Sequence, residues 1–161
     1  MRVLCCLDGT NAGQVRKATE MLSAVEPQTF GLLFVTDTGP RHDIEHLRER
    51  FLRYPGPPPP MEEEMRRAER ASAEDILNEG SGYFPNAETL QRQGRPEREI
   101  VNVAAEWRAD LVIVCSRAIY GGTPHIGPKS VGHVARFVID HAPCPVFLVR
   151  PLARDQFPIR H

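Results

Sequence analysis

Asp8 stands directly behind the apolar run Val3-Leu4-Cys5-Cys6-Leu7 and is followed by Gly9, Thr10 and Asn11. A carboxylate in that place can accept hydrogen bonds from sugar hydroxyls or hold a metal ion through water, and it can equally bond its own turn in the manner of an Asx-turn. A second group of chemistry-bearing residues follows another apolar run, Leu111 to Cys115. Ser116 and Arg117 come first, then a glycine-bearing stretch with Gly121, Gly122 and Gly127, then Lys129, Ser130 and His133. Gly122 to Ser130 comes within one inserted proline of a phosphate-binding P-loop and lies between a strand and a helix, as that motif does. The inserted Pro128 removes an N–H from the cradle and changes its path. What remains is either a surface loop or an altered anion site built from Lys129, Ser130 and His133, whose imidazole can meet a phosphate when protonated or through its N–H.

Other candidates read as ordinary surface or core. His42 and His46 have i, i+4 spacing, but no third ligand completes a metal site, so a solvated helix face is expected. Glu62-Glu63-Glu64 followed by Arg66-Arg67 is a solvated face with ion pairs. Cys5, Cys6, Cys115 and Cys144 form no CxxC pair and, three of them lying in strand-like runs, are expected to be small buried hydrophobes. No nucleophile elbow, Ser-His-Asp order or paired-carboxylate motif points to a hydrolase.

These residues need elements to position them. Val3 to Leu7, Phe30 to Val35 and Leu111 to Cys115 read as strands buried on both faces, Glu88 to Gln93 as a polar strand at or near a sheet edge, and Val146 to Val149 as the last strand. Helices are expected after Asn11 or Thr10 as cap, with Val15, Ala18, Leu22 and Val25 on one stripe up to Pro27. Further helices are expected over Asp43 to Tyr54, over Glu62 to Glu79 with Gly80 and Gly82 stopping it, from Pro96 or Glu97 onward, and from Gly132 to Asp140. The segment Pro55-Gly56-Pro57-Pro58-Pro59-Pro60 is expected to be extended and to act as a spacer. Alternating strands and helices assemble through right-handed crossovers into a doubly wound α/β fold with a parallel five-stranded sheet. Ligands of such sheets bind outside the carboxyl ends of the strands, which directs attention to Asp8, to Val35 and to Cys115 onward.

The 161 residues suit one domain, taken as 1–151 with residues 38–61 as an insertion and 152–161 as a tail. Twenty Lys and Arg against 21 Asp and Glu leave a net charge of −1, so no global basic field favours nucleic acid or anionic membrane. No apolar run is long enough to span a bilayer and no cleavage signal follows the N-terminus, so a soluble cytoplasmic protein is expected.

Ala109 to Arg117, together with His141-Ala142-Pro143-Cys144-Pro145-Val146-Phe147-Leu148-Val149-Arg150-Pro151, resembles the C-terminal signature of the universal stress proteins. Leu7-Asp8-Gly9-Thr10, Leu32 to Asp37 and Gly94-Arg95-Pro96 resemble their first-strand ending, second-strand ending and Gly-x-Pro turn. The resemblance implies a doubly wound sandwich of strand order 3-2-1-4-5 and a homodimer paired through the last strand, Val146 to Val149. It also implies, in one branch, a bound ATP or AMP with magnesium. That branch carries Gly-x2-Gly-x9-Gly-Ser/Thr after the fourth strand. Aligned back from His141-Ala142-Pro143, its leading glycines fall on Cys115 and Ala118 and its final pair on Gly132-His133, with thirteen residues where the motif has nine. The ligand-binding set expected from the resemblance and the residues together is Asp8, Gly9, Thr10, Val35, Gly94, Cys115, Ser116, Arg117, Ala118, Lys129, Ser130, Gly132, His133 and Val134. The expected role is a noncatalytic stress-response protein holding an adenine nucleotide or other small anionic ligand; the alternative is a dimeric interaction module without nucleotide, and a weaker one a slow ATPase.

Overall fold

The computed structural model describes residues 1–22, 28–39, 59–116, 127 and 130–150. In chain order the elements are β1 (Arg2–Leu7), α1 (Ala12–Glu20), β2 (Thr29–Asp37), α2 (Pro59–Tyr83), β3 (Glu88–Gly94), α3 (Pro96–Glu106), β4 (Leu111–Cys115), α4 (His133–His141) and β5 (Val146–Val149). All five strands are parallel and lie in the order β3-β2-β1-β4-β5. The polar strand β3 takes one edge, as its composition demands, and β5 the other.

Continuous apolar runs become central strands because each face of the sheet is covered. Along β1, Leu4 and Cys6 point into one core with Leu33, Ile100, Val103, Trp107 and Val138. Val3, Cys5 and Leu7 point into the other, with Val15, Leu32, Leu77, Phe84 and Ile113. Helices α3 and α4 close the first core, and α1 and α2 the second. Val3 pairs with Phe30 on one side and with Leu111 on the other, which brings the carboxyl ends of β1, β2 and β4 to the same rim of the sheet.

Several expectations need correction. Helix α2 runs from Pro59 to Tyr83, so Pro59 and Pro60 belong to its first turn, where a missing N–H leaves nothing unpaired, and not to an extended segment. Gly80 and Gly82 do not stop the helix. A Cβ on Gly80 would lie 2.7 Å from Leu7 Cδ1 and 3.2 Å from Leu32 Cδ1, so this glycine lets the helix approach the sheet, and Pro85 provides the stop. Asn11 occupies the N-cap position of α1, but its side chain makes no capping bond. Val15 and Ala18 are buried on α1 as expected and Leu22 lies beyond its end, while Val25, the helix expected over 43–54 and the segment 55–58 lie outside the described residues, as do His42, His46 and the tail. Cys5 and Cys6 are buried; Cys115 and Cys144 are only half-buried, and all four thiols are free. No helix among the described residues is long and apolar enough to cross a membrane.

Candidate functional site

At the rim where β1, β2 and β4 end, a cavity of about 550 Å³ opens between the strand ends and the first turn of α4. That volume lies within the range of small-molecule sites, roughly 300–1,000 Å³. Its walls are largely apolar, with Leu7, Phe34, Val35, Ile100 and Val114 among them.

The β1 side is shaped by a residue whose role is mechanical. Asn11 is 4% exposed; its Nδ2 donates to the Cys6 carbonyl at 3.0 Å and its Oδ1 accepts the Asp8 N–H at 3.0 Å. One amide thus clamps the end of β1 to the start of α1, which explains why it does not cap the helix. Asp8 accepts the N–H and the hydroxyl of Thr10 on Oδ1, at 2.8 and 2.9 Å. At the end of β2, Asp37 accepts the Gly39 N–H on Oδ1 at 2.8 Å. Both carboxylates therefore make Asx-type turn bonds with one oxygen, and among the described residues neither Oδ2 is hydrogen-bonded. Burial, opposed by a hydrogen bond from Asn11 and reinforced by the charge of Asp8, pushes the Cys115 thiol up to about 11. Burial raises the Cys6 thiol as well, so both thiols lining the cavity stay protonated near neutrality.

The opposite side is built for negative charge. Gly132 precedes α4 with φ of 84°, a left-handed conformation that a side chain would resist, and no side chain caps the helix. The first N–H groups of α4, on His133, Val134 and Ala135, consequently have no intrahelical partner, and all three residues line the cavity. They carry the partial positive charge of a helix N-terminus, and the first turn holds no acidic residue to neutralise it. Ser116 adds a second polar group: it is 6% exposed and lines the same cavity, where its hydroxyl can donate to or accept from a ligand.

Of the residues expected in the site, Asp8, Thr10, Val35, Cys115, Ser116, Gly132, His133 and Val134 line the cavity. Gly9 does not line it but shapes its β1 turn at φ of 91°; Gly94 accepts the Thr38 N–H at 3.1 Å and serves the β2–β3 edge. Ser130 lies outside the lining, donating to the Gly127 carbonyl and accepting from Arg150, each at 2.8 Å. Arg117, Ala118 and Lys129 lie outside the described residues. Asn11, Asp37, Cys6 and Pro96 line the cavity without having been expected there. The position of Asp37 at a strand carboxyl end was a readable signal; Asn11 looked only like a helix cap. Among the described residues no group of three or more His, Cys, Asp or Glu is placed to share a metal ion.

Comparison with known proteins agrees with this fold. Residues 1–150 match the model of the universal stress protein family. The chain is 32% identical over 115 residues to a universal stress protein encoded in the 3′ region of a sulfhydrylase of Thermus aquaticus, covering 70% of this chain and 79% of that one. Its fold is similar to a universal stress protein of Lactobacillus plantarum, with a TM-score of 0.67, 23% identity, and coverage of 93% of this chain and 97% of that one. It is also similar to an Arabidopsis thaliana universal stress protein family member solved with AMP bound, with a TM-score of 0.58, 17% identity, and coverage of 99% and 96%.

Proposed function

The chain belongs to the universal stress protein family, and from that premise we propose that it is a noncatalytic regulatory member whose rim cavity holds an adenine nucleotide or a ligand of the same anionic kind. The observation that carries this reading is the joint presence, in the lining of one cavity, of the uncapped α4 N-terminus and Ser116. The helix end and the hydroxyl suit a phosphate. Asp8 and Asp37 each keep one carboxylate oxygen for donors such as sugar hydroxyls or an exocyclic amine, and the apolar walls suit a flat base. The structural relative with AMP bound supports the ligand class. Magnesium would accompany a polyphosphate, with Asp8 as a carboxylate able to hold it through water.

Binding without turnover fits the same residues. The two thiols are held protonated and each carboxylate already serves its own turn, so these four groups, among the described residues, form no activated nucleophile and base pair. In our reading the protein also pairs through β5, which lies at the sheet edge and leaves all four residues Val146 to Val149 half-buried. An edge strand with apolar side chains is a ready surface for a second copy.

The test is a thermal-shift titration of nucleotide-free protein with ATP, AMP, cyclic AMP and inorganic phosphate, with and without magnesium. Ligand at 100 times its Kd stabilises the fold by about 2.7 kcal/mol, a shift of several degrees for this size. A nucleotide-dependent shift is expected. No shift up to millimolar ligand sinks the reading and leaves the interaction module.

A further inference from the structure

Asp37 ends β2, and along that strand Leu33, Val35 and Asp37 alternate onto one face of the sheet, the face on which Leu33 and Val35 pack in the core closed by α3 and α4. The cavity opens on the same face, against Pro96 and Ile100 of α3 and the first turn of α4, and Asp37 is part of its lining. The Gly39 N–H occupies Oδ1 at 2.8 Å, so the turn fixes the carboxylate and leaves Oδ2 to accept. Among the described residues Asp37 is in no ion pair.

Strand order sets what can reach that oxygen. β1 lies between β4 and β2, so Asp8, at the end of β1, stands between the β4 side of the cavity and Asp37. Neighbouring strands are about 4.8 Å apart, which puts the end of β2 two spacings, roughly 10 Å, from that of β4. A nucleoside monophosphate with its phosphate on the β4 side therefore presents its sugar to Asp8 and the edge of its base to Asp37. Resting on the nucleotide-binding role proposed above, we propose that Asp37 is a specificity-determining residue, whose Oδ2 accepts a hydrogen bond from the exocyclic amine of the base and so selects adenine. A carboxylate accepts and does not donate, so a base that offers it no N–H leaves it unpaired and loses affinity. One free oxygen matches the single amine of adenine, whereas the adjacent donors on N1 and N2 of guanine call for both oxygens, as bidentate donors do. Phe34 and Val35, next to Asp37 in β2, supply apolar wall for the ring.

Calorimetric titration of wild type, Asp37→Asn and Asp8→Asn compares AMP with analogues that share its sugar and phosphate: purine riboside 5′-monophosphate, which lacks the amine, N6,N6-dimethyl-AMP, whose amine has no hydrogen to donate, and GMP. Wild type is expected to bind AMP about tenfold more tightly than each analogue. Asp37→Asn keeps an oxygen for the Gly39 N–H while its other arm becomes a donor, and its preference for AMP falls to about twofold or less. Asp8→Asn weakens all the ligands alike and keeps the preference. Ligand-free melting curves check that the variants fold, and the wild-type series tests the inference without them. Equal binding of AMP and purine riboside monophosphate by wild type, tighter binding of GMP than of AMP, or an undiminished preference in Asp37→Asn overturns the inference while the nucleotide-binding role stands. Failure of every nucleotide to bind wild type overturns both.

Discussion

At the scale of single residues, the site depends on buried polar groups that leave little room for substitution. Asn11 satisfies the Cys6 carbonyl and the Asp8 N–H with one amide in a nearly closed environment. Asn11→Ala strands both, and a loss of about 1–3 kcal/mol is expected, read as a drop in Tm of several degrees together with weaker ligand binding as the β1 turn loosens. The buried thiols give a stability effect of defined sign. A thiol raised on folding binds its proton more tightly in the native state, so its contribution is complete below the unfolded value of 9.0 and is lost as pH rises through the folded one, about 11 for Cys115 and about 12 for Cys5. Tm is therefore expected to fall above about pH 9, and Cys115→Ala to fall less steeply than wild type. Equal slopes in the two proteins would show that Cys115 is not among the groups responsible.

At the scale of elements, the approach of α2 to the sheet decides how the second core closes. Gly80 and Gly82 lie two residues apart in that helix and differ in surroundings: a Cβ on Gly80 meets Leu7 and Leu32, whereas one on Gly82 meets nothing within 4 Å. Gly82→Ala is expected to stabilise by about 0.5–1 kcal/mol through helix propensity and a less flexible unfolded chain. Gly80→Ala is expected to destabilise by about 1–3 kcal/mol through overpacking against the end of β1, close to Asp8. Denaturant unfolding of the pair measures both; the same sign for both would mean that α2 moves away from the sheet at no cost. These glycines are also where sequence reading failed. Glycine weakens a helix in isolation, and nothing in the local pattern says that its missing side chain is needed for a contact with residues 73 and 48 positions away.

At the scale of the whole molecule, β5 is the edge that the fold leaves open beside β4. Pairing with a second copy there would continue the sheet across two chains, and sedimentation is expected to give about twice the 18.1 kDa of one chain. A monomer at micromolar concentration would remove the β5 interface from the proposal. The cavity is a molecular-scale feature as well, because its walls come from β1, β2, β4, α3 and α4, and no one of these segments makes a site by itself.

The sequence by itself determined the strands, their buried or edge character and, through the order of elements and the family resemblance, the 3-2-1-4-5 sheet. Apolar period and turn residues are local properties, and Val3 to Leu7 reads as a buried strand wherever it lies. It also determined the general place of the site, since the rim at the carboxyl ends of the strands follows from parallel topology, and Asp8, Val35, Cys115 and His133 all reach the cavity. Only the tertiary structure decided that Asn11 is a clamp and not a cap, that Asp37 faces the same cavity as Asp8, that Ser116 is buried in the cavity wall, and that Gly94 and Ser130 serve turns outside it. The physical reason is distance. Whether a polar atom is satisfied, and by what, depends on groups from strands and helices remote in the chain, and no spacing rule within one segment encodes that meeting.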